Sequence, residues 1–207
     1  GKLIDYIEKN DPKYRQSAIM HQNILDLIKK NNLNINDFAA VAISKGPGSY
    51  TGLRVGLSSA KGLCYALDIP LITVSTLQSM AAEATIKHKL DDSVTILSMM
   101  DARRNEVYLG AYAANGKRIL QDKPRVLDRK EDLIDLNKLS GSFFLAGDGA
   151  QKAAKLWPNQ NPTIDSDIYP SIRGMISSVW GAWSKKQFDD IGYCNPVYLK
   201  GLYKPSL

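Results

Sequence analysis

The segment SKGPGSYTGLRVG, residues 44–56, constrains this chain more than any other. An apolar run, FAAVAIS (38–44), ends there. Gly46, Gly48, Gly52 and Gly56 follow, and a helical pattern begins. Such a strand–glycine loop–helix unit has two uses. Its free backbone N–H groups and helix dipole can hold a phosphate, or its small residues can let a second surface approach the backbone. Neither familiar phosphate pattern fits. A Walker loop needs Lys and then Ser or Thr after its last glycine, whereas Leu53 and Arg54 follow Gly52. G-x-G-x-x-G fails because the third glycine comes one position late.

The helix after the loop favours close contact. Leu53, Leu57, Ala60, Cys64 and Leu67 recur at alternating spacings of four and three, which makes one apolar stripe. Gly52, Gly56 and Ala60 stand four apart beside it, with Ser59 and Gly62 adding small side chains. A glycine inside a helix costs up to about 1 kcal/mol relative to alanine, so several of them imply a close neighbour. That neighbour is either a helix of the same domain or a helix of another subunit, and the pattern alone favours neither.

The rest of the chain reads as a succession of α/β units. GKLIDYIEK (1–9) has the mixed alternation of a strand. SAIMHQNILDLIKKNN (17–32) carries Met20, Ile24, Leu27 and Ile28 at helical spacing, with Lys29 and Lys30 in the last turn. A helix is expected from about Gly52 to Leu67, then a buried strand PLITV. Ser75 and Gln78 give a capping-box signature for the next helix. In the second half, residues 94–127 read as three antiparallel strands, with turns at DARRNE and at Asn115-Gly116. Asp128 and Glu131 bracket a short helix through Leu139. SFFLAGDGAQKAAKLW reads as strand, glycine turn and helix, and residues 169–188 as a last helix before an extended tail, NPVYLKGLYKPSL. The order predicts an α/β fold with a lobe boundary near residues 85–95: a first lobe over 1–90 and a second over 91–207.

Charge and reactive residues narrow the chemistry. A net charge of +6 permits nucleic-acid contact without requiring it, since the cations are dispersed in pairs such as Arg103-Arg104 and Lys185-Lys186. Hydrophobic residues make up 44%, which argues against disorder. No apolar run approaches a membrane span. Cys64 and Cys194 form no metal spacing and read as buried thiols. His21 and His88 are the only histidines, which leaves no histidine-rich metal motif and no convincing Ser-His-Asp set. No catalytic residue is therefore assigned. Asp101, Arg103, Arg104 and Glu106 crowd one turn. Locally paired charges explain that cluster, and a polar site in a cleft between the lobes is the alternative.

Three blocks together resemble one family. SKGPGSYTGLRVGLSSAKGLCYALDIPLITVSTLQSMA (44–81), MDARRNEVYLGAY (100–112) and NPVYLK (195–200) are similar to signatures of the bacterial TsaB (YeaZ) family, and His21 before its helix also matches. The resemblance implies an actin-like ATPase fold of the Hsp70/sugar-kinase type, with two α/β lobes and mixed sheets. It implies a non-catalytic subunit of the machinery that makes N6-threonylcarbamoyladenosine at position 37 of tRNA. The expected partners are the catalytic paralogue TsaD and an ATPase, TsaE, with a homodimer in isolation, tRNA reached through the complex, and no membrane. The expected compartment is the cytoplasm. No cofactor or metal of its own is expected, and ATP or ADP would sit at an interface between subunits. The partner interface is expected at Gly46, Gly48, Gly52, Arg54, Gly56, Leu57, Ser59, Ala60 and Leu63. Family members begin with a strand and hairpin resembling L-x-I-D-T-x-T, and this chain opens at Gly1 without one, so an incomplete first-lobe sheet is expected. The rival reading is a stand-alone actin-like ATPase or small-molecule kinase.

Overall fold

The computed structural model describes residues 1–9, 16–157 and 161–200, with side chains in the first helix from residue 19 onward. The tail residues 201–207 lie outside the described residues. Two sheets form. The smaller is a parallel pair of β1 (Val41–Ser44) and β2 (Leu71–Val74), in register from Val41 opposite Leu71 to Ser44 opposite Val74. The larger has the order β5-β4-β3-β6-β7. In it β3 (Val94–Asp101), β4 (Glu106–Tyr112) and β5 (Arg118–Val126) run antiparallel, while β6 (Ser142–Ala146) and β7 (Thr163–Asp165) add in parallel beyond β3.

Side-chain alternation explains why the large sheet is covered on both faces. Leu97 and Met99 point to one side with Val107, Leu109 and Leu145, against Ala150, Ala153 and Trp157. Ile96 points to the other with Tyr112, Phe144 and Ala146. There it meets Leu77, Met80, Ala81 and Ala84 of α3 (Thr76–His88). So α3 packs on the second sheet although it follows β2 of the first. Ser75 caps it by accepting the Gln78 amide proton, but Gln78 turns its side chain to the Gly116 carbonyl, so only half of the expected capping box forms.

Two further helices bracket the small sheet. α2 (Tyr50–Leu67) is capped by Ser49, whose hydroxyl accepts from the Gly52 amide, and its stripe of Leu57, Ala60 and Cys64 packs on Leu71, Val41 and Ile43. α6 (Ile172–Ser184) crosses α3 so closely that a Cβ on Gly174 would stand 2.0 Å from the Ser79 carbonyl oxygen. The Ser79 hydroxyl also donates to the Ser171 carbonyl.

Four expectations change. Residues 1–9 form no strand. They run as an extended segment that ties α1 (Gln16–Lys30) to α6: Asp5 accepts from Asn31 and pairs with Lys30, and Glu8 accepts from the Ser171 hydroxyl and the Ile172 amide. Alternation alone makes no strand without a neighbouring ladder. The strand expected from residue 38 starts only at Val41, because Asn34 and Asp37 close a capping box around a 3-10 turn at Ile35–Asp37. The helix expected after AGDGA is short, α5 (Ala150–Ala153) followed by a 3-10 turn. The helix expected after Asp128 is likewise short, α4 (Lys130–Leu133) with a 3-10 turn at Leu136–Lys138.

Candidate functional site

The glycine loop is stitched down by the chain's own backbone. The Lys45 amide donates to Val74, Thr76 donates to the Gly46 carbonyl, and Val197 donates to the Lys45 carbonyl. Gly46 is buried at φ +118°, and a Cβ there would lie 2.7 Å from the Val197 carbonyl oxygen. Gly48 is half-buried beside Leu53. At the helix start, the Gly52 and Leu53 amides are taken by the Ser49 hydroxyl and carbonyl. The Lys45, Gly52 and Leu53 amides are thus engaged within the chain, and Gly46 packs closely against the backbone at Val197.

The expected interface residues of α2 divide among its faces. Leu57 and Ala60, 3% and 4% exposed, point into the chain's own core, which corrects the expectation that they face a partner. Gly52 and Gly56 turn toward α1 and line a cavity of about 760 Å³. A Cβ on Gly56 would come 3.1 Å from Ile43 Cδ1, so its smallness serves packing within the chain. Leu63 lines an apolar groove of about 430 Å³ with Leu67, Ile28 and Val41. Ser59 is half-buried and Arg54 exposed. Val55, Ser59, Gly62 and Ala66 follow at spacings of four, three and four; Gly62 and Ala66 are exposed, while Val55 and Ser59 are half-buried and Val55 also lines the cavity toward α1. A Cβ on Gly62 would meet nothing within 4 Å.

The turn between β3 and β4 holds the second group. Asp101 accepts from the Arg103 amide at 2.6 Å and from Lys152 at 2.7 Å, and its own amide donates to Asp148. The Lys152 ammonium, helped by the Arg103 amide and opposed by burial, holds the Asp101 carboxyl below the usual carboxylate range. Arg103 and Arg104 are exposed on left-handed backbone, at φ 68° and 52°. Glu106 pairs with Lys200. Three of these four residues therefore have partners or roles in the local turn, and the arginine heads face solvent.

Sequence reasoning missed the segment that joins the two sheets. Residues 189–200 run as a strap from β2 to the β3–β4 turn. The Asp189 amide donates to Leu71, and its carboxylate accepts from the Thr73 amide and hydroxyl at 2.8 and 2.9 Å. Farther along, Tyr198 stacks on Tyr50 with centroids 4.9 Å apart and accepts from Arg54 Nε, before Lys200 reaches Glu106. Local patterning carries no signal for contacts between residues more than a hundred positions apart.

Other polar groups are structural. Asp122 accepts from Ser75 at 2.5 Å and from Tyr112, linking β5 to the start of α3. Burial, then the Asp122 charge, pushes the Tyr112 phenol up. His88 bonds Asp165 at 2.7 Å and tilts against Phe144. Cys64 is buried in the apolar cluster under α2, where burial raises its thiol. Among the described residues, no group of three or more His, Cys, Asp or Glu is placed to hold a metal, and no helix is long and apolar enough to cross a membrane.

Comparison with known proteins agrees with this architecture. The family model described as "TsaD: tRNA N6-adenosine threonylcarbamoyltransferase" matches residues 14–166. The "tRNA threonylcarbamoyladenosine biosynthesis protein TsaB" of Escherichia coli (strain K12) is 27% identical over 181 residues, 86% of this chain and 77% of that protein. The protein of the same name from Buchnera aphidicola subsp. Schizaphis graminum is 34% identical over 174 residues, 78% of each chain. The solved structure of YeaZ from Pseudomonas aeruginosa superposes with a TM-score of 0.75 at 22% identity, covering 90% of this chain and 85% of that one. The fold is thus the actin-like ATPase fold with mixed α/β sheets, and the chain belongs to the TsaB (YeaZ) family.

Proposed function

We propose that this chain is a non-catalytic scaffold and activator subunit for N6-threonylcarbamoyladenosine formation at position 37 of tRNA, and that it acts by holding its TsaD paralogue in an active form. One stripe of α2 carries the reading. Val55, Ser59, Gly62 and Ala66 share one helical line whose exposed end, Gly62 and Ala66, has small side chains that let a partner helix approach closely. Arg54 and Leu63 flank it. Membership in a family named for this tRNA modification supports the pathway. In this reading a TsaE-type ATPase joins the pair, the same face makes a homodimer when TsaD is absent, and any ATP or ADP is held between subunits. The complex works in the cytoplasm.

Gly62→Leu tests the interface. Open space around Gly62 accepts the side chain, and loss of a helical glycine favours the helix by up to about 1 kcal/mol. The variant should keep its circular dichroism and melting temperature but lose both self-association in light scattering and co-purification with the cognate TsaD. It should also fail to support tRNA modification in a reconstituted assay. Normal association by a folded Gly62→Leu protein overturns the assignment. Robust ATP turnover by the isolated chain with magnesium would instead favour the rival, an autonomous actin-like ATPase or small-molecule kinase.

A further inference from the structure

A third face of α2, beside the strap, begins at Arg54 on the flank of the scaffold stripe and has chemistry beyond helix contact. Arg54, Ser58, Lys61 and Tyr65 follow at spacings of four, three and four, so they share one side of the helix. Between this face and the strap lies a pocket of about 360 Å³, which also takes in Asn195 and Tyr198. Two cations line it, and among the described residues no carboxylate does. The strap's own carboxylates are engaged elsewhere. Asp189 is held by Thr73 and Lys45, and Asp190 by the amides of Gly192 and Tyr193.

The cation at the pocket's edge is held in place. Arg54 lies 4.3 Å over the Tyr50 ring and gives its Nε proton to the Tyr198 hydroxyl. That leaves the two terminal guanidinium nitrogens, the pair suited to bidentate binding of an oxyanion. Exposed aromatic rings surround the pocket. Tyr65 continues the helical line at 82% exposure and Tyr193 precedes the pocket residue Cys194 at 85%, while Tyr50 and Tyr198 are stacked on each other. Cations interleaved with accessible tyrosines match a single-stranded nucleic acid, in which phosphates take the cations and bases stack on the rings. An acidic peptide would use the cations and leave such rings in water.

We infer that the pocket between α2 and the strap, with Arg54 and Lys61 as its cations, is a direct contact for RNA phosphate, flanked by tyrosine stacking positions. The inference rests on the proposed role in tRNA modification and adds RNA contact by this chain itself. The probe is a fluorescently labelled, unmodified tRNA transcript, titrated by anisotropy at several salt concentrations against the full chain and its complex with TsaD. Arg54→Gln with Lys61→Gln should weaken binding and lower the slope of log affinity against log salt by about 1 per cation removed. Because Arg54 also braces the strap, Ser58→Glu serves as a second variant. It places a negative charge on the same face, within one helical turn of both Arg54 and Lys61, while keeping both cations and the Tyr198 hydroxyl in the chain, and it should weaken RNA binding while the melting temperature holds. RNA affinity and salt slope unchanged in both variants would overturn the inference. So would unchanged RNA binding with lost TsaD association, which would assign the pocket to the protein contact and leave the scaffold reading intact. Failure of the wild-type chain to associate with TsaD would sink the scaffold reading alone, since RNA binding is read on the isolated chain as well.

Discussion

Asp165 shows how one side chain sets a pH limit. It sits at the end of β7, mostly buried. Burial pushes its carboxyl up, but hydrogen bonds from Lys87 and His88 outweigh that and bring it to about 2. The ordinary aspartate value is about 4. A depressed folded-state value favours the native state above the ordinary value, and that stabilisation is lost as pH falls from about 4 toward about 2. The melting temperature of the wild-type chain should therefore drop across this window. Asp165→Asn should be less stable at neutral pH and should show a shallower fall, as measured by calorimetry at successive pH values. Sequence reading passed over this residue, because an aspartate in the short run Thr163–Asp165 carries no pattern that marks it as buried or paired.

At the scale of elements, the α3–α6 crossing depends on one missing methyl. Gly174→Ala places a Cβ on the Ser79 carbonyl oxygen, and backbone cannot yield as a side-chain tip can. Such overpacking costs typically about 1–3 kcal/mol, and urea unfolding should show a loss of that order or more, with the Arg173–Glu83 ion pair disturbed as α6 shifts. How legible each element was follows from how local its cause is. The helices α1, α2, α3 and α6 were readable because their periodicity and caps lie within their own residues. Ser49, Ser75 and Ser171 each cap the helix that follows. β7 was not readable, since three residues form a strand only because β6 lies beside them. Residues 1–9 erred in the opposite direction, with strand-like alternation and no ladder. On α2 the small residues were visible, but not which of them look outward. Gly56 faces Ile43 whereas Gly62 faces open space, a difference of orientation and not of composition. The polar line Arg54, Ser58, Lys61 and Tyr65 has a legible helical spacing, but no local pattern shows that Asn195 and Tyr198 close a pocket beside it.

For the molecule as a whole, the strap makes the small sheet depend on distant residues. Asp189→Ala removes the acceptor for both the amide and the hydroxyl of Thr73. Thr73 and Asp189 are half-buried, so losing these bonds should cost toward the lower end of about 1–3 kcal/mol, and the loss should be regional. Amide hydrogen exchange is expected to speed up in β1 and β2 while β3, β4 and β6 keep their protection. Uniform acceleration over both sheets would show that they unfold as one unit.

The strap also sets an order of events during synthesis. The five strands of the large sheet come from one uninterrupted stretch, residues 94–165, so they can pair as soon as that stretch has left the ribosome. The small sheet is made earlier and finished later. β1 and β2 emerge before residue 75, yet the Asp189 contacts that clasp β2 and the Val197 contact that closes the glycine loop emerge more than a hundred residues afterwards. During that interval Gly62 and Ala66 of α2 are already exposed while the sheet beneath the helix lacks its clasp. The surface proposed for partner binding thus reaches its final support only in the last stage of translation.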